Sequence, residues 1–330
     1  MTKPGKVYPG GKVFESMQPT GSVALDQSEQ GTVSLVCRKS SLSSFENCCR
    51  KVESAEKDGR EKTMLGRAKI GGLRLILAFD NWPSVLFSRL FDRKSGFVVY
   101  RKNGLDIVID HHGDDENGTR TCLATDMYLR YLPSFILAAP ARVLDLGANG
   151  GGFPLMLKAA GIELARVVSV EMNPLTFLRL QLNLATNLGT AAIAINAAVC
   201  GMPQDTETLL KPSRGSSSNS MYADRADSSA SHVSVRTTTL QALYDQYFEN
   251  ELVDICKVDI ESAEYDLFAS SPDDLLRKIR YLVIELHDPS RTPQLIEKIA
   301  ALGFVEITVQ EARKTDAYGD VRAFRGPGAE

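Results

Sequence analysis

The 330-residue chain is 43% hydrophobic and 24% charged, with a formal net charge of -3, the balance of an ordinary globular protein able to bury a sizeable core. Its slight acidity and the lack of a long basic stripe give no electrostatic basis for binding nucleic acid or anionic lipid. The six cysteines form no C-x-x-C pair and none has a histidine at zinc-finger spacing, so structural zinc is not expected.

Residues 1–67 are rich in Ser, Gly, Glu and Lys and poor in aromatics. They read as a disordered or loosely attached extension, because so little apolar surface cannot offset the entropy of ordering. A short helix is conceivable around Ser44–Ala55, and the adjacent Cys48 and Cys49 read as reduced thiols. No basic-then-apolar leader and no run of 18 uncharged apolar residues occur, so a cytoplasmic protein without a transmembrane segment is expected.

A helix and hairpin subdomain is expected over 68–140. Leu73–Phe91 is apolar, but it carries Arg74, Asp80 and Arg89, and Pro83 interrupts any single helix. It reads as a helix lying on the domain, with peripheral membrane contact as the alternative. Phe97–Tyr100 and Leu105–Ile109 are strand-like around Asn103-Gly104, the favoured pair for a tight hairpin turn. His111, His112, Asp114 and Asp115 follow and read as a solvated loop rather than metal ligands. Thr125–Leu137 reads as a helix.

From Ala141 to the end the pattern alternates strand, turn and helix. ARVLDL, ARVVSVE, AAIAIN, LVDICKVD, YLVIELH and GFVEITVQ are the apolar runs. This alternation predicts an α/β, doubly wound, mainly parallel sheet over 141–330. The closing run up to Phe324 leaves no room for a crossover helix, so an antiparallel edge pair is expected there. Between Cys200 and Arg236 the Ser-rich composition predicts a surface loop or a lid over a substrate.

The turn Leu146-Gly147-Ala148-Asn149-Gly150-Gly151-Gly152 opens a helix where free amides would favour a carboxylate or phosphate. Its D-x-G-x-N-x-G spacing from Asp145 is neither G-x-G-x-x-G nor a P-loop. Glu171 ends the next strand, where a carboxylate can accept both hydroxyls of a ribose. Asn173 and Pro174 start the helix after it. Asn196 ends a third strand and can meet an adenine edge. Asp145, Glu171, Asn196, Asp259 and Glu285 to His287 all fall at strand carboxyl ends, where open parallel sheets bind ligands.

These residues resemble the FkbM-type methyltransferases, a branch of the class I S-adenosylmethionine-dependent enzymes. Asp145, Gly147, Ala148, Asn149 and Gly151 match the family's opening motif, with Phe153 at its usual aromatic position. Glu171, Asn173 and Pro174 match its second motif, where Met172 replaces a proline. Asn183 and Asn187 stand where its next helix carries asparagines. Lys257, Asp259, Glu261 and Glu264 match a third motif, with Ser262 in place of glycine, and Glu285 to His287 a fourth. The resemblance implies a seven-stranded class I, Rossmann-like fold and S-adenosylmethionine as cofactor. It implies methyl transfer to a hydroxyl of a sugar, glycolipid or secondary metabolite.

The cofactor set expected on that basis is Asp145, Gly147, Asn149, Gly151, Glu171, Asn173, Asn196 and Asp259. An alcohol needs help to lose its proton near neutral pH. His287 is the first base expected, followed by Asp259 and Glu261. No metal is assigned, although a divalent cation among Asp259, Glu261, Glu264 and Glu285 is the second way to activate the hydroxyl. An NAD-dependent oxidoreductase or a non-catalytic nucleoside-binding domain remain alternatives.

Overall fold

Three apolar runs, Ala141–Leu146 (β3), Val253–Val258 (β9) and Ile279–Leu286 (β10), are buried along almost their whole length, as strands covered on both faces must be. In this computed structural model, residues 73–91, 96–113, 115–137, 140–202, 206–209, 233–249, 251–309 and 320–329 are described. The extension over 1–67 and the helix proposed at Ser44–Ala55 lie outside them.

With Leu164–Glu171 (β4), Ala192–Asn196 (β5), Val305–Glu306 (β11) and Asp320–Arg325 (β12), these strands form a seven-stranded sheet of order β11-β12-β10-β9-β3-β4-β5. The five from β10 to β5 are parallel, and β12 runs antiparallel to both β10 and β11. Because β4 and β5 extend the sheet to one side of β3 and β9 and β10 to the other, the chain reverses direction between β3 and β9. That reversal opens a crevice beyond their carboxyl ends.

Helices Gly152–Ala159 (α3) and Pro174–Leu188 (α4) cover one face, sharing a core that includes Leu155, Leu157, Leu180 and Leu184. On the other face Leu240–Leu243 (α5), Glu264–Ser270 (α6), Asp273–Leu276 (α7) and Thr292–Ala301 (α8) bury Leu243, Phe268, Leu276 and Ile299. The start of α4 follows from local chemistry: the Asn173 side chain accepts the Leu175 amide at 3.0 Å and Pro174 takes the first turn.

The hairpin forms as expected from Phe97–Lys102 (β1) and Leu105–Asp110 (β2), with Asn103 and Gly104 both at positive φ. It joins the sheet domain through Asn183 and Asn187, one turn apart on α4. Asn183 Oδ1 accepts the Val108 amide at 2.8 Å and its Nδ2 donates to the Val108 carbonyl at 3.0 Å. Asn187 does the same for Asp106. Two side chains thus satisfy alternate backbone groups on the exposed edge of β2, as a further strand would.

As expected, residues 73–91 are not one helix: a helical stretch over 73–76 ends in a turn, and Pro83 stands in the first turn of a new helix, Trp82–Phe91 (α1), whose Val85 is buried while Phe87, Leu90 and Phe91 are exposed. Several other local expectations change. Thr125–Leu137 is not an α-helix. Residues Thr121–Ala124 (α2) end at Thr125, whose hydroxyl donates back to the Thr121 carbonyl at 2.8 Å, and Leu129–Ser134 is a 3-10 turn containing Pro133. The turn after β2 is not a solvated loop at Asp115, which is fully buried and receives both Nε and Nη2 of Arg179. His111 meets the Tyr100 hydroxyl at 3.0 Å, and burial holds its pKa down to about 4, so it is a neutral packing residue. Within Cys200–Arg236, Thr206–Leu209 (β7) pairs antiparallel with Val233–Thr238 (β8), which pairs with Ala198–Val199 (β6). Residues 203–205 and 210–232 lie outside the described set, and with them most of the proposed lid.

Candidate active site

Two loops cross at the crevice between β3 and β9. Gly147, at φ 75°, lies so close to the next strand's end that a Cβ there would stand 1.7 Å from the Asp259 carbonyl oxygen. Only glycine can occupy the crossing. The Asp259 amide donates to the Leu146 carbonyl at 3.1 Å, and Lys257 Nζ to the Gly147 carbonyl at 2.6 Å.

Above the crossing is a cavity of about 210 Å³. Its sheet side is built from Gly147 and Asn149, from Glu171 and Met172 after β4, from Ala197 and Val199 after β5, and from Lys257, Asp259, Glu261 and Glu285. Its opposite wall comes from the segment before the sheet domain, including Asn117, Thr119, Cys122 and Tyr128. Thr119 ties that wall to the turn: its hydroxyl donates to Asn149 Oδ1 and accepts the Gly150 amide, each at 2.9 Å.

Of the residues expected to hold a cofactor, Gly147, Asn149, Glu171 and Asp259 line the cavity, as does Glu261. Asp145 is buried beneath it, with Oδ1 3.6 Å from Lys257 Nζ. Gly151 caps α3 against Leu180 and Leu184, and Asn173 caps α4. The amide of Asn196 donates to the Glu171 and Met172 carbonyls at 2.8 and 3.0 Å, so it braces the rim rather than presenting donors to a ligand. His287 stands behind Asp259 and Glu261, with Nε2 3.5 and 3.7 Å from their carboxylates.

The turn's amides are not free. Those of Gly147 and Ala148 go to the Val170 carbonyl, Gly151 to Ala148, Gly150 to Thr119 and Asn149 to Glu171 Oε2. Glu171 Oε1 accepts the Asn173 amide at 2.7 Å. Burial pushes its pKa up to about 7 despite these two amides. Glu171 therefore organises the turn while still facing the cavity.

A family model described as the methyltransferase FkbM domain matches residues 145–306. These residues form an FkbM methyltransferase domain. Among solved structures, a methyltransferase FkbM from Methylobacillus flagellatus KT is 15% identical, with 60% of this chain and 47% of that one covered and a TM-score of 0.42. The chain thus spans about half the length of that relative. Precorrin-6y C5,15-methyltransferase from Geobacter metallireducens GS-15 is 13% identical over 65% of this chain and 96% of that one, with a TM-score of 0.36. No curated protein matches. Together with Asp320–Arg325 beyond the matched range, the strands form the mainly parallel seven-stranded sheet and antiparallel edge of the class I, Rossmann-like fold.

The electrostatics of the FkbM domain's site are dominated by carboxylates. Burial pushes Asp145 up to about 6 and Glu261 up to about 7, and raises Glu285. Burial opposes the charge on Lys257, but Asp259 and Asp145 outweigh it and hold the ammonium above its usual range. His287 follows the same logic. Burial disfavours its charge, yet the hydrogen bond to Glu264 at 3.0 Å, with Asp259 and Glu261, raises its pKa to about 9. Asp259, Glu285 and His287 also offer atoms within 4.8 Å of one another. A divalent cation there would have to displace the imidazolium proton and sit beside the Lys257 ammonium, 3.0 Å from Asp259.

Sequence reasoning missed Tyr128. Its ring packs edge-on against Phe153, and its buried hydroxyl lies 3.4 Å from both Asp259 Oδ2 and Glu285 Oε2. No periodicity marks it, because it sits in an irregular segment placed by tertiary contacts. Lys257 stood inside a recognised motif but was given no role.

Proposed function

We propose that this protein is an S-adenosylmethionine-dependent O-methyltransferase acting on a hydroxyl of a sugar, glycolipid or secondary metabolite. The observation that carries this reading is the convergence of Glu171, the Gly147–Asn149 turn and the carboxylates of Asp259, Glu261 and Glu285 around one cavity at the sheet's reversal point. The cavity suits the cofactor's parts. Glu171 stands where ribose hydroxyls can donate to it, Met172, Ala197 and Val199 give an apolar bed beside it, and the acidic end complements a sulfonium. Bound there, the cofactor supplies a methyl group already activated for displacement by an oxygen nucleophile.

The residues of the chain then have to hold the acceptor in line, exclude water and take a proton. Glu261 is the base favoured by its surroundings. It lines the cavity, and a carboxylate titrating near 7 is a better proton acceptor at neutral pH than an ordinary glutamate. A hydroxyl proton released by an acceptor held in this cavity would pass to the Glu261 carboxylate. Asp259 beside it can orient the hydroxyl, while His287, charged at neutral pH, holds both carboxylates in place. Specificity is assigned to Cys200–Arg236 and to the wall around Asn117–Tyr128.

The occupied amides of the 147–151 turn weigh against a dinucleotide, whose pyrophosphate would need them. The reading is tested by incubating the protein with methyl-labelled S-adenosylmethionine and a panel of sugars and glycolipids, followed by mass spectrometry. A labelled ether product is expected. Calorimetry showing NADH binding and no S-adenosylmethionine binding would overturn the proposal.

A further inference from the structure

Five ionisable groups of alternating sign run in series beneath the cavity. Asp145 Oδ1 lies 3.6 Å from Lys257 Nζ, and Lys257 Nζ lies 3.0 Å from Asp259 Oδ2. Asp259 Oδ1 is 3.5 Å from His287 Nε2, and His287 Nδ1 is 3.0 Å from Glu264 Oε1. The side chains of Asp145, Lys257 and Glu264 are almost wholly buried, so salt and water screen the series little.

Asp259 is the shared member. It offers one oxygen to Lys257 and the other to His287, and the Lys257 ammonium also donates to the Gly147 carbonyl at 2.6 Å. A single side chain therefore connects the glycine turn to the acidic end of the cavity. Glu261, at 3.7 Å, and Glu285 also face His287. Tyr128 lies over Asp259 and Glu285 from the opposite wall.

Building on the methyltransferase reading, we propose that Lys257 is a positioning residue that divides Asp259 between the glycine turn and His287, so that a change at the turn is felt at His287. Removing the ammonium leaves Asp259 with one cation instead of two, and the imidazolium gains what the lysine gave up.

The test follows the ring protons and nitrogens of His287 by NMR from pH 6 to 11, in a chain with only four histidines. In Lys257→Met the His287 midpoint should rise by about one unit, the size expected for losing a nearby like charge, and Lys257→Arg should restore it. An unmoved midpoint in a folded Lys257→Met protein overturns the proposal. The second arm uses the wild-type protein and remains decisive if that variant fails to fold. Saturation with S-adenosylhomocysteine, verified by calorimetry, should move the His287 midpoint by several tenths of a unit, and binding without movement overturns the proposal. If calorimetry shows no binding, the methyltransferase reading fails, and the Lys257→Met comparison still decides the role of the lysine.

Discussion

Replacing Gly147 by alanine places a methyl group at the crossing of the two site loops. The added Cβ would stand 1.7 Å from the Asp259 carbonyl oxygen, roughly half a normal contact distance, and the oxygen belongs to backbone rather than to a side chain that can rotate away. The loops must separate, weakening the Asp259 amide bond to Leu146 at 3.1 Å and the Lys257 bond to Gly147 at 2.6 Å. A neutral hydrogen bond contributes about 1 kcal/mol and a charged one about 2. Forcing alanine to the φ of 75° adds about 1 kcal/mol, for a total loss of about 4 kcal/mol. Gly104→Ala supplies the control, because Gly104 has φ 80° with nothing within 4 Å of its Cβ position. It should cost only the backbone strain of about 1 kcal/mol. Urea unfolding of both variants measures the difference directly, expected near 3 kcal/mol. Equal losses would mean that the loops do not meet at Gly147, and the site built on their crossing would fall with them.

Glu171→Ala should weaken S-adenosylhomocysteine binding in calorimetry by about 1–3 kcal/mol through lost charged hydrogen bonds, and an unchanged dissociation constant would remove the ribose assignment. Ser262→Gly should stabilise the protein by about 0.5–1 kcal/mol in thermal unfolding. Ser262 sits at φ 75° directly after Glu261 at φ 52°, and relief of that strain exceeds the entropy that glycine adds to the unfolded chain; a fall in melting temperature would refute the strain argument. Raised pKa values also imply a pH dependence. His287 binds its proton more tightly folded than unfolded, so its contribution is complete below about pH 6.5 and is lost as pH rises through about 9. Chemical denaturation across that window should show a loss of about 3 kcal/mol that His287→Gln abolishes, and a flat profile would contradict the ion-pair assignment.

Much of the sheet was legible because its signals are local. Buried parallel strands announce themselves as uninterrupted apolar runs, and β3, β4, β5, β9 and β10 all fell where those runs predicted. The Asn103-Gly104 turn and the Asn173-Pro174 helix start were equally readable, since each depends on the backbone preferences of neighbouring residues. Placing Glu171, Asp259 and Glu285 on one rim required only that parallel strands share a direction. Side-chain roles were harder. Asn183 and Asn187 matched a motif, yet their use in pairing with the edge of β2 appears only when the hairpin is docked.

Tertiary structure alone decided how charge is distributed at the site. Sequence made His287 the first candidate base from its ordinary titration range. Three carboxylates arriving from the loop after β9 and the start of α6 raise its pKa to about 9, which is why the proposed mechanism gives the base's part to Glu261 instead. The opposite wall, with Thr119 and Tyr128, was hidden for the same reason: irregular backbone carries no period, and its position depends on what it packs against. Proton affinities depend on burial and on the sign of neighbours within a few ångströms, and those neighbours are set by the closing of the sheet, not by distance along the chain.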